Sequence, residues 1–169
     1  MSSYEVRAIK FIHQVFDYIS DCKQVSDYYG AISDFNAHNS RKVQCANGMT
    51  RVAFITSDYV IKFDYSDYYT KRWGGCEQEY KLYNAARADG YGYLFAKIKP
   101  YYYQGRVFYI MPRINGIGRT WYNADSYMTW EEREWCDDHD LRDLHNENYG
   151  WHRKQIVICD YAANSFRYT

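Results

Sequence analysis

From Leu141 to Asp160 the chain reads LRDLHNENYGWHRKQIVICD. Asn148 follows Asp143 by five positions. Gly150 and the polar run His152-Arg153-Lys154 then signal a short hairpin, and the apolar run Ile156-Val157-Ile158-Cys159 ends in Asp160. Two carboxylates and an amide oxygen are hard donors of the kind Mg2+ prefers. A loop flanked by short strands can aim all three into one cleft. The plainer alternative is an acidic surface loop before a buried strand. Either Asp alone favours that alternative; three donors in this order, with an apolar strand before the last, weigh against it.

This stretch resembles the catalytic half of the protein-kinase-like superfamily. There, a loop written H-R-D-x-x-x-x-N precedes a strand whose closing Asp opens D-F-G. Here the signatures read Leu141-Arg142-Asp143…Asn148 and Asp160-Tyr161-Ala162. The resemblance implies that Asp143 is the catalytic base and that Asn148 and Asp160 are the Mg2+ ligands. Leu141 stands where the family usually has His. Asp143-Leu144-His145…Asn148 equally resembles the loop of small-molecule phosphotransferases.

Further matches lie upstream. Val60-Ile61-Lys62 resembles the third-strand V-A-I-K motif, which implies that Lys62 neutralises the α/β-phosphates of ATP and is held by a carboxylate. A lysine snorkelling from a strand edge is the plainer reading. Of the two acids at the start of the next helix, Glu79 shares a face with Leu82, Tyr83 and Ala86 by i, i+3 and i+4 spacing, whereas Glu77 faces solvent and pairs with Lys81. Asn47-Gly48-Met49-Thr50 occupies the place of the glycine-rich loop with one glycine where the family has several, so Gly48 is the cofactor-binding candidate there, with an ordinary hairpin turn as the plainer reading. Phe108 to Ile114 resembles the last small-lobe strand entering the hinge. That implies backbone groups near Met111 and Arg113 facing adenine, although Pro112 removes one N–H donor.

The elements that must position these residues follow from periodicity and turn signals. Residues 4–22 predict an amphipathic helix with Val6, Ile9, Ile12, Phe16 and Ile19 near one face. Residues 26–42 read as a polar connection. Strands are expected over 42–46 and 51–56 around Asn47-Gly48, and over 59–63. A loop over 66–74 leads to a helix over 76–88, closed by Asp89-Gly90. Strands over 93–99 and 106–111 meet around Pro100 and Gly105. A connector with two glycines, 112–118, precedes a helix opened by the capping box Thr129-Trp130-Glu131-Glu132.

The 169 residues carry 21 Lys and Arg against 21 Asp and Glu, so bulk charge gives no support to a nucleic-acid or membrane-surface role. No apolar run approaches a membrane span, and the N-terminus lacks a secretory pattern. Five cysteines without framework spacing point to reduced thiols in a cytosolic protein. Cys136, His139, His145 and His152 do not fall at a recognised zinc spacing.

The expectation is therefore an α+β, protein-kinase-like chain. It has an antiparallel five-stranded small lobe with one helix (42–111), a hinge and strongly truncated large lobe (112–169), and an extra N-terminal helix (1–41). The implied activity is ATP- and Mg2+-dependent transfer to a protein Ser or Thr hydroxyl, with Asp143, Lys62 and Glu79 as the catalytic set. The compact pattern is similar to kinases encoded by bacteriophages of the T7 type. The implied partner is a host protein in the host cytoplasm, without nucleic acid or membrane. A pseudokinase that binds a partner protein is the main alternative, and a small-molecule phosphotransferase the second. Only seven residues follow Ala162. An acceptor platform is therefore expected from a second copy, a partner or the Val6-to-Ile19 helix, and a homodimer or an obligate complex is expected.

Overall fold

The computed structural model describes residues 1–40, 42–48, 50–65, 75–116, 124–141, 144 and 146–159. The chain forms two compact units, Met1–Lys71 with Ile98–Arg113, and Arg72–Lys97 with Ile114–Thr169. Its class is α+β, with four helices, a five-stranded antiparallel sheet and a three-stranded antiparallel sheet among the described residues.

The first unit opens with α1 (Ser3–Ile19). Its buried stripe is Ala8, Phe11, Ile12, Val15 and Ile19, an i, i+3, i+4, i+7, i+11 pattern, while Val6 is 54% exposed. The stripe is thus rotated from the one periodicity suggests. At the N-terminus Glu5 accepts from the Ser2 N–H at 2.9 Å, which satisfies one of the donors a helix start leaves open.

Residues 26–42 are not a polar connection: Val25–Asn39 forms a second helix, α2. Tyr28, Ile32 and Phe35 give it an apolar stripe at i, i+4 and i+7 that Ser, Asp and Asn conceal in the sequence. Asp27 closes its first turn by accepting from the Lys23 and Gln24 N–H groups at 2.9 and 2.8 Å. The Asn36 amide then bonds both backbone groups of Val43, at 2.8 and 3.0 Å, and fixes where the sheet begins.

The sheet comprises β1 (Gln44–Asn47), β2 (Arg51–Ile55), β3 (Tyr59–Asp64), β4 (Lys99–Tyr103) and β5 (Arg106–Pro112), in the order β1-β2-β3-β5-β4. The strand expected over 93–99 lies further on. Residues 99–103 pair with β5, and Gly92–Leu94 is a 3-10 turn in the second unit. Pro100 sits inside β4 rather than in the turn, and tolerates it because β4 is an edge strand. The turn is Gln104-Gly105, both at positive φ, as a two-residue hairpin requires.

Both helices cover one sheet face. Alternate residues Val52 and Phe54, Ile61 and Phe63, and Phe108 and Ile110 meet Phe11, Ile32 and Phe35 in one apolar cluster. Phe63 lies edge-on to Tyr28, Phe54 and Phe108 with ring centroids 5.2–5.5 Å apart.

The second unit contains α3 (Cys76–Ala88), α4 (Trp130–Asp138) and the small sheet β6-β7-β8, from β6 (Asn115–Gly116), β7 (Tyr149–His152) and β8 (Gln155–Ile158). Both helix boundaries agree with the caps read from sequence. Thr129 Oγ1 accepts from the Glu132 N–H, and the Glu132 carboxylate returns to the Thr129 N–H at 2.6 Å. The Trp135 indole donates to Asp89 at 2.9 Å, which links α4 to the end of α3. Phe95 bridges to Ile158 in parallel, and Ile158 O accepts from the Ala96 N–H at 2.8 Å. A Cβ on Gly150 would meet Ile114 Cγ2 at 2.3 Å and Asn115 O at 2.6 Å, so β6 can approach β7 only where that position is glycine.

Candidate functional site

Lys62 lies near the middle of β3, opposite Ala53 of β2 and Tyr109 of β5. Alternation puts it on the sheet face away from α1 and α2, beside Tyr109 and on the same face as Met111. All three are buried, with Lys62 only 8% exposed. A lysine is almost never so buried without a compensating partner, and Lys62 is not without interactions. A snorkelling edge lysine would not look like this. Arg51 and Asp64, opposite each other on β2 and β3, add a cross-strand pair of opposite charges to the same face.

The other small-lobe candidates are backbone groups, and their bonds are accounted for. The Gly48 N–H donates to Arg51 O at 2.9 Å and closes the β1–β2 turn. Gly48 has open space around its Cβ position. The Arg113 N–H donates to Asp58 O at 2.9 Å, and Pro112 has no N–H. The peptides of Gly48 and Arg113 thus spend their donors within the fold. Met111 pairs with Val60 in the sheet.

In the second unit Glu79 is fully buried in the first turn of α3, on one face with Tyr83 and Ala86. Glu77 is exposed and bonds Lys81 at 2.8 Å. The helical period therefore separates the two acids as spacing suggested: one carboxylate is an inward group and the other a solvated i, i+4 pair. Asn148 ends the 3-10 turn Asn146–Asn148 and is 5% exposed. Its carbonyl accepts from the Cys159 N–H at 2.7 Å, which continues the register Tyr149↔Ile158. The hairpin therefore fixes Asn148 beside the residue that precedes Asp160 in the chain. Asp143, His145 and Asp160 lie outside the described residues.

Lys62, Gly48, Met111 and Arg113 belong to the first unit, and Glu79 and Asn148 to the second. Tyr109, the ring beside Lys62, carries no signal along the sequence beyond its place in a strand. Strand pairing is what makes it a neighbour, and pairing is not visible along one chain. Among the described residues no His, Cys, Asp or Glu group has the arrangement of a metal site, and no helix is long and apolar enough to cross a membrane. Comparison with protein-family models and with curated proteins returns no match.

Proposed function

We propose that the chain is a compact kinase-like phosphotransferase, moving the γ-phosphoryl group of ATP to a Ser or Thr hydroxyl of a protein, in the cytoplasm of a host cell. The observation that carries this reading is the burial of Lys62 in the middle of β3, within Val60-Ile61-Lys62, on the sheet face that the two helices leave. Structural lysines seldom occupy such a place; a lysine serving a polyphosphate does.

In this reading Lys62 neutralises the α- and β-phosphates, and Glu79 is the carboxylate assigned to orient its ammonium. Asp143 accepts the proton of the acceptor hydroxyl as its oxygen bonds to phosphorus and the bond to ADP breaks. Asn148 and Asp160 would hold Mg2+, which supplies charge neutralisation at the phosphates. The amide of Asn148 is a suitable hard donor.

The test is transfer of labelled phosphate from ATP to protein substrates in a host lysate, with and without Mg2+. Wild type is expected to label a protein only with Mg2+. Asp143→Asn is expected to abolish labelling while Mg-ATP still raises the melting temperature, because Asp143 touches the acceptor and not the nucleotide. No labelling, with an unaltered melting temperature at millimolar Mg-ATP, defeats the reading.

One observation favours the second reading, a pseudokinase that acts by binding. The N–H groups of Gly48 and Arg113, at the places a kinase would use for phosphate and adenine, are both internally bonded. Nucleotide-independent activity of Asp143→Asn in the cell would select it.

A further inference from the structure

Net charge is zero over the whole chain, yet one cavity concentrates positive charge. It lies in the first unit, has a volume of about 510 Å3, and is lined by Arg7, Lys10, Lys42, Ser57 and Asp58 among others. Arg7 and Lys10 are three residues apart on α1 and so project from one side of it. Lys42 comes from the segment before β1, and Ser57-Asp58 from the β2–β3 turn. Three elements therefore converge on one concavity of the size small ligands occupy.

The ion pairing within it is incomplete. Arg7 bonds Asp58 through Nε and Nη2, both to the same carboxylate oxygen. This anchors the guanidinium and leaves further N–H donors on it. Among the described residues neither Lys10 nor Lys42 meets a carboxylate. The Ser57 hydroxyl reaches Asp58 only at 3.5 Å. Among the described lining residues, three cations against one carboxylate leave two positive charges, with hydroxyl and guanidinium donors beside them.

We infer that this cavity binds a phosphate monoester or inorganic phosphate. A phosphoryl group carries about −1.5 to −2 charges at pH 7 and three strong acceptor oxygens. That matches the two unneutralised lysines and the spare Arg7 donors better than a single carboxylate does. Arg7 is held by Asp58 before any ligand arrives, so little ordering is needed there. The site stands apart from the phosphoryl-transfer reading and does not depend on it.

The test is calorimetric titration of the full chain, at about 50 mM salt, with inorganic phosphate, a phosphoserine peptide and the same peptide unphosphorylated. Saturable one-to-one binding of phosphate or phosphopeptide, and none of the unmodified peptide, is expected. Affinity should fall at least tenfold in Lys10→Gln/Lys42→Gln, recover in Lys10→Arg/Lys42→Arg, and weaken with added salt. Equal affinity for phosphate and phosphopeptide assigns a small phosphorylated ligand, and tenfold tighter peptide binding assigns a modified protein. Because both lysines are exposed, the variants are expected to fold, and circular dichroism checks this. The proposal is overturned by no saturable binding of either phosphate up to 10 mM, on the order of the weakest useful affinity. It is equally overturned by undiminished binding in the Gln variant.

Discussion

Among the candidate side chains Lys62 and Glu79 are buried, whereas Glu77 is exposed and bonds Lys81. Along the sequence the plainer reading of Lys62 is a snorkelling edge lysine, and strand pairing with Ala53 and Tyr109 on either side takes it off the edge. Glu77 and Glu79 were separable from spacing alone, because a helix turns 100° per residue and carries two positions to opposite sides. The chemistry assigned to Lys62 is open to a direct substitution. Lys62→Met keeps most of the apolar stem and removes the ammonium. It is expected to fold, and to lose the stabilisation by Mg-ATP. For wild type at about one hundred times Kd that stabilisation is roughly 2.7 kcal/mol, or about 5–10 °C for a chain of this size. Equal shifts in wild type and variant would remove Lys62 from the site. A second residue, Asp27, sets a pH dependence. Hydrogen bonds from the Gln24 and Lys23 N–H groups hold its carboxyl below the usual range. The folded value lies below the unfolded one, so its contribution is complete above the unfolded value, about 3.9, and is lost as pH falls through the folded value. Asp27→Asn should therefore cost stability at pH 6, and the gap to wild type should close in acid. Thermal melts of both proteins across pH 2–6 measure this.

At the scale of elements, punctuation was legible and stripes were less so. Thr129 with Glu132 announced the start of α4, and Asp89-Gly90 the end of α3, because caps are local chemistry. α2 was hidden because its polar face is long and Gly30 interrupts it, leaving Tyr28, Ile32 and Phe35 as a sparse signal. β4 was misplaced because Pro100 normally punctuates, and whether a strand lies at a sheet edge is a property of the assembled sheet. The β7–β8 turn shows the reverse case. Arg153 and Lys154 both have positive φ, at 48° and 71°, in a two-residue hairpin loop that usually takes Asn-Gly. The left-handed region costs an L-residue about 1–2 kcal/mol. Lys154→Gly is thus expected to stabilise the second unit by roughly 1 kcal/mol. Gly150→Ala, three residues from the turn on β7, should destabilise it by about 1–3 kcal/mol through the clash with Ile114 and Asn115. Denaturant titrations followed by tryptophan fluorescence report both, since Trp130, Trp135 and Trp151 all lie in that unit. A destabilising Lys154→Gly would show that the turn is held by its side chains rather than strained.

For the whole molecule, the sequence supplied the composition of the sheet but not which face each helix covers. The placement of two helices over Val52, Phe54, Ile61, Phe63, Phe108 and Ile110 leaves the alternate residues, Lys62 and Met111 among them, for the other face. A site on one face of a sheet is only as well placed as the core on the other face is rigid, because the same strands carry both sets of side chains. Phe63 is the joint between these roles: it follows Lys62 in β3, is fully buried, and touches the rings of Tyr28, Phe54 and Phe108. Removing its ring forfeits buried apolar area and leaves a cavity among side chains too large to collapse. Phe63→Ala is expected to cost about 3–5 kcal/mol. Tyr102→Ala, at a side chain 74% exposed on β4, is expected to stay within about 0.5 kcal/mol of wild type. The described tryptophans belong to the second unit, so far-UV circular dichroism, to which α1 and α2 contribute, is the appropriate probe for this core. A Phe63→Ala protein whose denaturation midpoint matches that of Tyr102→Ala would show that this aromatic cluster does not hold the sheet, and with it that the placement of Lys62 is set by some other part of the chain.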